Sequence, residues 1–516
     1  MTAMILPRSA QPGAASGAGE NVRPRKTMLA KLSLSGSRAR HLLAALGIAG
    51  LSLVSGLAFA QQKAGEITHL QGLATATQPG GQPRFLAVGD PVNEGDTLTT
   101  TERGYAVVAL SDGSKMTLRP STTFQVAKFA HNPANAGDDD ALSMRLFKGG
   151  MRMITGLVGK RNPNGVEMRT ATATVGIRGT SFDARLCGDD CRAEGITPAP
   201  TQTAQANTTQ VVARVVEVNG RVTAALKGGA PRVVSQGAAL YEGDDIRTEA
   251  NATAMLGFRD QTRVSLTPNS AFRIDSFTYG QGGANANDGV AMSLLKGGLR
   301  AFTGLIGKAK PEAMTIKTST ATIGIRGTGL DLSCQGPCVD PALREPTPPA
   351  TPGTPPSQNQ GMFLFTWEGG TYLVGGPDVP LNQSLFLGAD NVPRLLAALP
   401  DFFNALFGPG RPPGPADIDW TNLFSSTNPS GGDGLYIGVR EGHVYLLSES
   451  GGRIDLGIGE SGFLSLVGTV QRLSYFPGFM LNDAYPLPEA LSANQIPIFQ
   501  LFGVTLGQPG QEMCRL

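Results

Sequence analysis

Apolar and polar residues alternate with period two along much of the chain, in short runs broken by turn residues, which is the pattern of half-buried strands. Tyr105 to Leu110 and Met116 to Leu118 flank Ser111-Asp112-Gly113-Ser114. Asp-Gly at that place predicts a hairpin with a type I′ turn, whose central residues need positive φ. A later stretch of the same pattern carries Asp260-Gln261 instead. Glutamine tolerates positive φ poorly, so this second turn is expected to be of another type or longer.

The later stretch is a second copy of the first. Glu94-Gly95-Asp96 recurs as Glu242-Gly243-Asp244, Leu118-x-Pro120 as Leu266-x-Pro268, and Lys148-Gly149-Gly150 as Lys296-Gly297-Gly298. Gly176-Ile177-Arg178-Gly179-Thr180 recurs as Gly324-Ile325-Arg326-Gly327-Thr328, and every pair lies 148 residues apart. A constant offset without net insertion means two copies of one folding unit. Ile196 to Gln210 and Pro341 to Gln360 are rich in Pro, Thr, Ala and Gln and cannot bury a core, so they read as linkers.

Composition supports the same class. Charged residues make up 16%, and Gly 68 and Pro 36 suit many short strands joined by turns. A chain of 516 residues also exceeds one ordinary core. The expected fold is all-β: two tandem sandwich or roll repeats and a C-terminal β extension with a short helical insertion. The expected boundaries are 64–191 and 211–338 for the repeats, 192–210 and 339–360 for the linkers, 361–474 for the extension and 475–516 for a tail. Within the extension, Gly361 to Val374 echoes Gly434 to Leu447, and the insertion spans 390–433. Val392 to Phe407 is apolar at roughly helical spacing but broken by Pro400, so it reads as a helix or as a hydrophobic loop on the sheet.

Residues 1–60 stand apart. A basic stretch precedes the apolar run Leu42 to Phe59, which ends in Ala58-Phe59-Ala60 before Gln61, the pattern of a secretory signal peptide cleaved after Ala60. Met28 would give a more ordinary leader than Met1. An uncleaved membrane anchor is the competing reading, although Gly and Ser interrupt the run. The leader holds a net +6 of a chain whose formal charge is +2, which leaves the mature chain near −4. That balance argues against nucleic acid or an anionic membrane surface as partner, since both call for a basic face. At most the protein is expected to be peripheral to the membrane.

The ordered series G-x-V, EGD, DGS-x-x-x-L-x-P-x-S, L-x-K-G-G-x-R, T-G and T-x-x-A-T-x-G-I-R-G-T-x-F-D resembles the FecR-domain family, twice over, at 64–186 and 212–335. Residues 361 to about 470 resemble the β extension that follows such domains. Founding members of that family are relays with a cytoplasmic anti-sigma segment, one membrane span and a periplasmic FecR domain that touches an outer-membrane transporter. The residues before Leu42 contain Pro, Gly and Ser without helical periodicity, so the resemblance implies the periplasmic binding role rather than the anti-sigma role. The expectation is a non-enzymatic cell-envelope module binding an unidentified protein or polymer; the alternative is a membrane-anchored transducer acting on an extracytoplasmic-function sigma factor. In the motif itself, Gly176, Gly179, Gly324 and Gly327 permit backbone conformations closed to other residues, beside Thr180 and Thr328. Arg178 and Arg326 either satisfy neighbouring carbonyls or a carboxylate within the fold, or face a ligand carboxylate.

Catalytic chemistry finds little support. His69, His131 and His443 are widely spaced, with no zinc-helix pair and no nucleophile elbow, so no catalytic, metal or cofactor residues are expected. Gly457-Ile458-Gly459-Glu460-Ser461-Gly462 fits G-x-G-x-x-G, but strand-like sequence follows it where a dinucleotide site needs a helix, and it reads as a β-turn. Asp138-Asp139-Asp140 reads as a solvated loop. Cys187 and Cys191, then Cys334 and Cys338, each form C-x-x-x-C after a GIRGT strand. Export and the intervening turn formers point to two local disulfides, with zinc binding by all four as the alternative. Cys514 is left as an odd thiol.

Overall fold

The structure, a computed structural model, describes residues 62–133, 139–162, 164–189, 191, 211–280, 287–345, 360–407, 418–427, 432–481 and 483–488. The leader with Ala58, Ala60 and Gln61, the residue Asp138 and Cys514 lie outside the described residues.

Strands dominate, and they form two sheets of 15 strands each. The first repeat runs from Lys63–Gln71 to the long strand Ala173–Cys187, and the second from Val211–Asn219 to Thr322–Gln335. Strand order is the same in both: Thr97–Thr100, Thr123–Ala130, Ala141–Ile154, Val166–Arg169 and Ala173–Cys187 neighbour one another just as Asp245–Thr248, Ala271–Thr278, Gly289–Phe302, Met314–Lys317 and Thr322–Gln335 do. In each, a parallel pairing (Val166 on Leu142, Met314 on Val290) sits among antiparallel ones. Each sheet closes over its own apolar core, with Phe124, Met144, Phe182 and Leu446 in one and Phe272, Met292, Leu332 and Leu364 in the other.

The segment 361–474 does not form one extension. Gly361–Leu373 pairs along Thr322–Gln335 and completes the second sheet, whereas Gly434–Ser448 pairs along Ala173–Cys187 and completes the first. The echo between the two stretches thus reflects one long completing strand per repeat, and the first repeat is finished last. The intervening insertion also differs from a single helix. Pro393–Leu396 is an edge strand on Ser384–Leu387, and helices occupy Asp401–Phe407 and Trp420–Phe424. Pro400 explains the division, because a helix cannot run through it without losing a hydrogen bond.

The two DGS-type turns correct the turn expectations. Gly113 takes φ of 84° and Gln261 takes φ of 69°, and no other residue of either turn has positive φ. Leu110 and Phe258 accept from Gly113 and Gln261 in equivalent bonds, so the turns share one shape: a tight turn followed by one left-handed residue, not type I′. The reason lies in the aspartate before that residue. Asp260 is buried and accepts from the Thr262 N–H at 3.0 Å, from its hydroxyl at 2.8 Å and from the Ile306 N–H at 3.4 Å. Asp112 is held likewise by Ser114 and Val158. These bonds fix the turn whether glycine or glutamine follows.

Candidate functional site

Glycine in GIRGT serves an aromatic ring. Gly176 faces Tyr445 in register and Gly324 faces Tyr372; a Cβ on either glycine would lie within 2.0 Å of the tyrosine ring. Arg178 stacks over Tyr445 at 5.2 Å and Arg326 over Tyr372 at 4.4 Å. Arg178 also donates to the Ser235 hydroxyl and the Asn164 amide oxygen, and Arg326 pairs with Asp378 at 3.1 Å. Gly179 and Gly327 take φ of 56° and 62°, where the long strand bulges past its partner. Thr180 exchanges bonds with Thr155, its N–H donating to the Thr155 hydroxyl at 2.8 Å. Thr328 lies on the matching strand.

The Gly457–Gly462 segment is the turn between Arg453–Leu456 and Ser461–Ser465, and it docks the completed first sheet on the second repeat. Glu460 is buried and accepts from Arg214 through both carboxylate oxygens at 2.6 Å, with the Gly457 N–H at 2.7 Å and Arg472 at 3.5 Å. Burial alone would raise its pKa, but Arg214, Arg472 and the Gly457 amide outweigh it and hold the carboxyl below its ordinary range. Burial and the neighbouring Arg214 lower the Arg472 pKa to about 10. Beside this pair His443 meets Asp455 at 3.0 Å. Burial depresses the histidine despite the carboxylate, while His443 and Arg453 hold Asp455 low against its own burial.

A second constellation lies on the first sheet. Arg152 pairs with Asp183 at 3.1 Å, and Arg440 with the same carboxylate. Asp483 sits between Arg119 at 3.3 Å and Arg152 at 3.6 Å, and Tyr485 packs on Tyr105 with ring centroids 5.6 Å apart. Tyr105 in turn stacks on His69, whose Nε2 lies 3.0 Å from its hydroxyl. The matching place on the second repeat has Arg300 bidentate on Asp331 at 2.6 and 2.8 Å, Trp367 donating to that aspartate, and a cavity of about 250 Å³ lined by Glu217, Thr253, Arg300 and Phe407. A larger cavity of about 830 Å³ lies beside Cys334, lined by Lys296, Gln335, Arg344 and Leu406. Arg152 and Asp183 stand in the family series as the closing residues of L-x-K-G-G-x-R and G-I-R-G-T-x-F-D, whereas residues 119 and 440 were not singled out from sequence; the offset comparison held a signal for the first, since Arg119 and Arg185 correspond to Thr267 and Ser333.

Cys187 bonds Cys191 and Cys334 bonds Cys338, with Cα separations of 5.3 and 5.1 Å. Closing so short a ring contributes only about 2 kcal/mol in the chain-entropy model. Cys187→Ser is therefore expected to lower the melting temperature by a few degrees and leave one cooperative transition, as read by calorimetry. Loss of that transition would show that the bridge holds up the domain. His69 and His443 have separate partners, and among the described residues no group of three or more His, Cys, Asp or Glu could hold a metal ion. Asp140 is buried and accepts from the Asn132 N–H. No described helix is long and apolar enough to cross a membrane.

Comparison with curated proteins and with solved structures returned no match. The family model described as FecR protein matches residues 96–196 and 244–338. Those spans cover the two equivalent strand sets, from the EGD aspartates through both GIRGT strands to the second cysteine pair, so the chain carries two FecR segments in tandem.

Proposed function

We propose that the protein is a non-enzymatic, exported module of the cell envelope that binds a protein or an envelope polymer through its two β repeats. The observation that carries this reading is the junction: the buried Glu460–Arg214 pair and the Tyr241 hydroxyl on the Ile458 carbonyl join the completed first sheet to the second repeat, so both present surfaces in a fixed relation. The FecR family is regulatory and envelope-associated. Export is supported by the basic, apolar and A-x-A order of the leader and by two disulfides, which persist in oxidising compartments. The mature charge near −4 fits neither nucleic acid nor an anionic membrane surface.

Mass spectrometry of the N-terminus tests this reading. A mature chain beginning at Gln61 in the periplasmic fraction is the expected result. Recovery of residues 28–60 intact in the inner membrane would overturn it and favour the membrane-anchored transducer that regulates a sigma factor.

A further inference from the structure

We infer that the cleft on the first repeat is a peptide-recognition site for a segment carrying a carboxylate two residues before an aromatic ring, and that the chain's own residues 476–481 and 483–488 fill it in cis. This rests on the reading of the protein as an interaction module and names the chemistry of one partner it fits.

The segment is held the way a bound peptide is held. The Met480 and Leu481 N–H groups donate to the Pro477 carbonyl and that of Tyr485 to the Asp483 side chain, and no strand pairing among the described residues includes this segment. Its anchors are instead side chains and carbonyls read by the sheet. The Met480 carbonyl accepts from Arg152 and Arg440, each at 3.0 Å, and the Tyr485 carbonyl accepts from Arg152. The Asp483 side chain is 4% exposed between two guanidiniums that are themselves 8% and 3% exposed. Arg119 lies 5.3 Å from the Tyr485 ring centroid, so one arginine reads both the carboxylate and the ring.

The second repeat is an internal control. At the positions of Arg119, Arg152 and Arg185 it has Thr267, Arg300 and Ser333, and Trp367 stands where the first repeat uses Arg440. There Arg300 and Asp331 neutralise each other, the Phe407 ring lies over Arg300 at 5.6 Å in place of any carboxylate-bearing segment, and a cavity of about 250 Å³ remains. On the first repeat Arg152 and Arg440 share Asp183 and Arg119 stands beside them, a face that suits an incoming carboxylate. The charge difference between two copies of one fold is thus matched to the presence of a carboxylate-bearing segment in one and its absence in the other.

A labelled synthetic peptide of residues 476–488 is titrated into the full chain bearing Asp483→Lys and Tyr485→Ala, which unseat its own tail. Saturable binding is expected, weakened roughly tenfold or more when Arg119→Ala is added or when the peptide carries asparagine for Asp483. The unaltered chain, its cleft already filled, should bind the peptide far less. A released variant that keeps its near-ultraviolet circular dichroism and both disulfides yet ignores the peptide overturns the inference, as does equal binding of the asparagine peptide. Should the released variant not fold, Arg119→Ala in the otherwise unchanged chain gives a second reading: proteolysis within 476–488 should accelerate several-fold, and an unchanged rate refutes the site. Peptide binding by a protein that is never exported would sink the envelope reading alone, whereas export without peptide binding would sink this one alone.

Discussion

Glu460→Ala should destabilise the protein by about 3–5 kcal/mol, because it leaves Arg214 buried without its counter-charge. The side chain of Arg214 is 1% exposed and its Nε has no hydrogen-bond partner among the described groups, so water cannot readily replace the lost carboxylate. Denaturant titration at neutral pH measures the effect, and a loss under about 1 kcal/mol would show that the junction is solvated instead of buried. Acid should act in the same direction. Glu460 and Asp455 are held below their ordinary values of 4.5 and 3.8, so the stability they contribute is present above those values and is lost as pH falls through the lower values of the folded state. His443 is depressed below 6.5, so the unfolded chain takes up a proton that the folded one refuses, and stability begins to fall already below about pH 6.5. His443→Gln should flatten the upper part of that decline, which begins below about pH 6.5, and leave the lower part.

The duplication was legible because an offset of 148 needs only identity along the chain, and period-two runs fix which face of a strand is buried. Neither signal says which strand is a strand's neighbour. Gly434–Ser448 and Gly361–Leu373 both carry a tyrosine suited to the glycine of GIRGT, so local chemistry allowed either to complete either repeat. The nested outcome has a polymer reason. Gly361–Leu373 is joined to the second repeat by the nearer linker and closes that sheet at the lower loop entropy, which leaves the exposed edge of the first sheet for the later hairpin. The Glu460 junction was illegible for a related reason. Its G-x-G-x-x-G setting identified a turn, but Arg214 lies 246 residues away and no pattern links the two. The turn around Gln261 escaped because residue preference was weighed alone, while Asp260 and its three bonds decided the geometry.

Those same turns support the other large effect. The Thr-Gly step after each central strand brings Gly156 and Gly304 against the backbone of the aspartate turn, and their N–H groups donate to Ser114 and Thr262 at 2.8 and 2.9 Å. A Cβ on Gly304 would lie 2.0 Å from the Asp260 carbonyl oxygen and 2.3 Å from the Thr262 nitrogen; on Gly156 it would lie 2.3 Å from the Ser114 nitrogen. These are backbone atoms pinned by the aspartate bonds, so no side chain can swing aside. Either the turn breaks from the helix that follows it or the strand shifts. Gly304→Ala and Gly156→Ala should each cost roughly 3 kcal/mol, at the upper end of overpacking substitutions. Gly113→Gln provides the contrast. That glycine has no atom within 4 Å of a would-be Cβ, and Gln261 already holds the equivalent conformation, so its cost should be about 1 kcal/mol. Thermal and denaturant unfolding of the three variants decide the matter, and a Gly304→Ala protein as stable as the unaltered chain would mean that the glycine does not meet the turn.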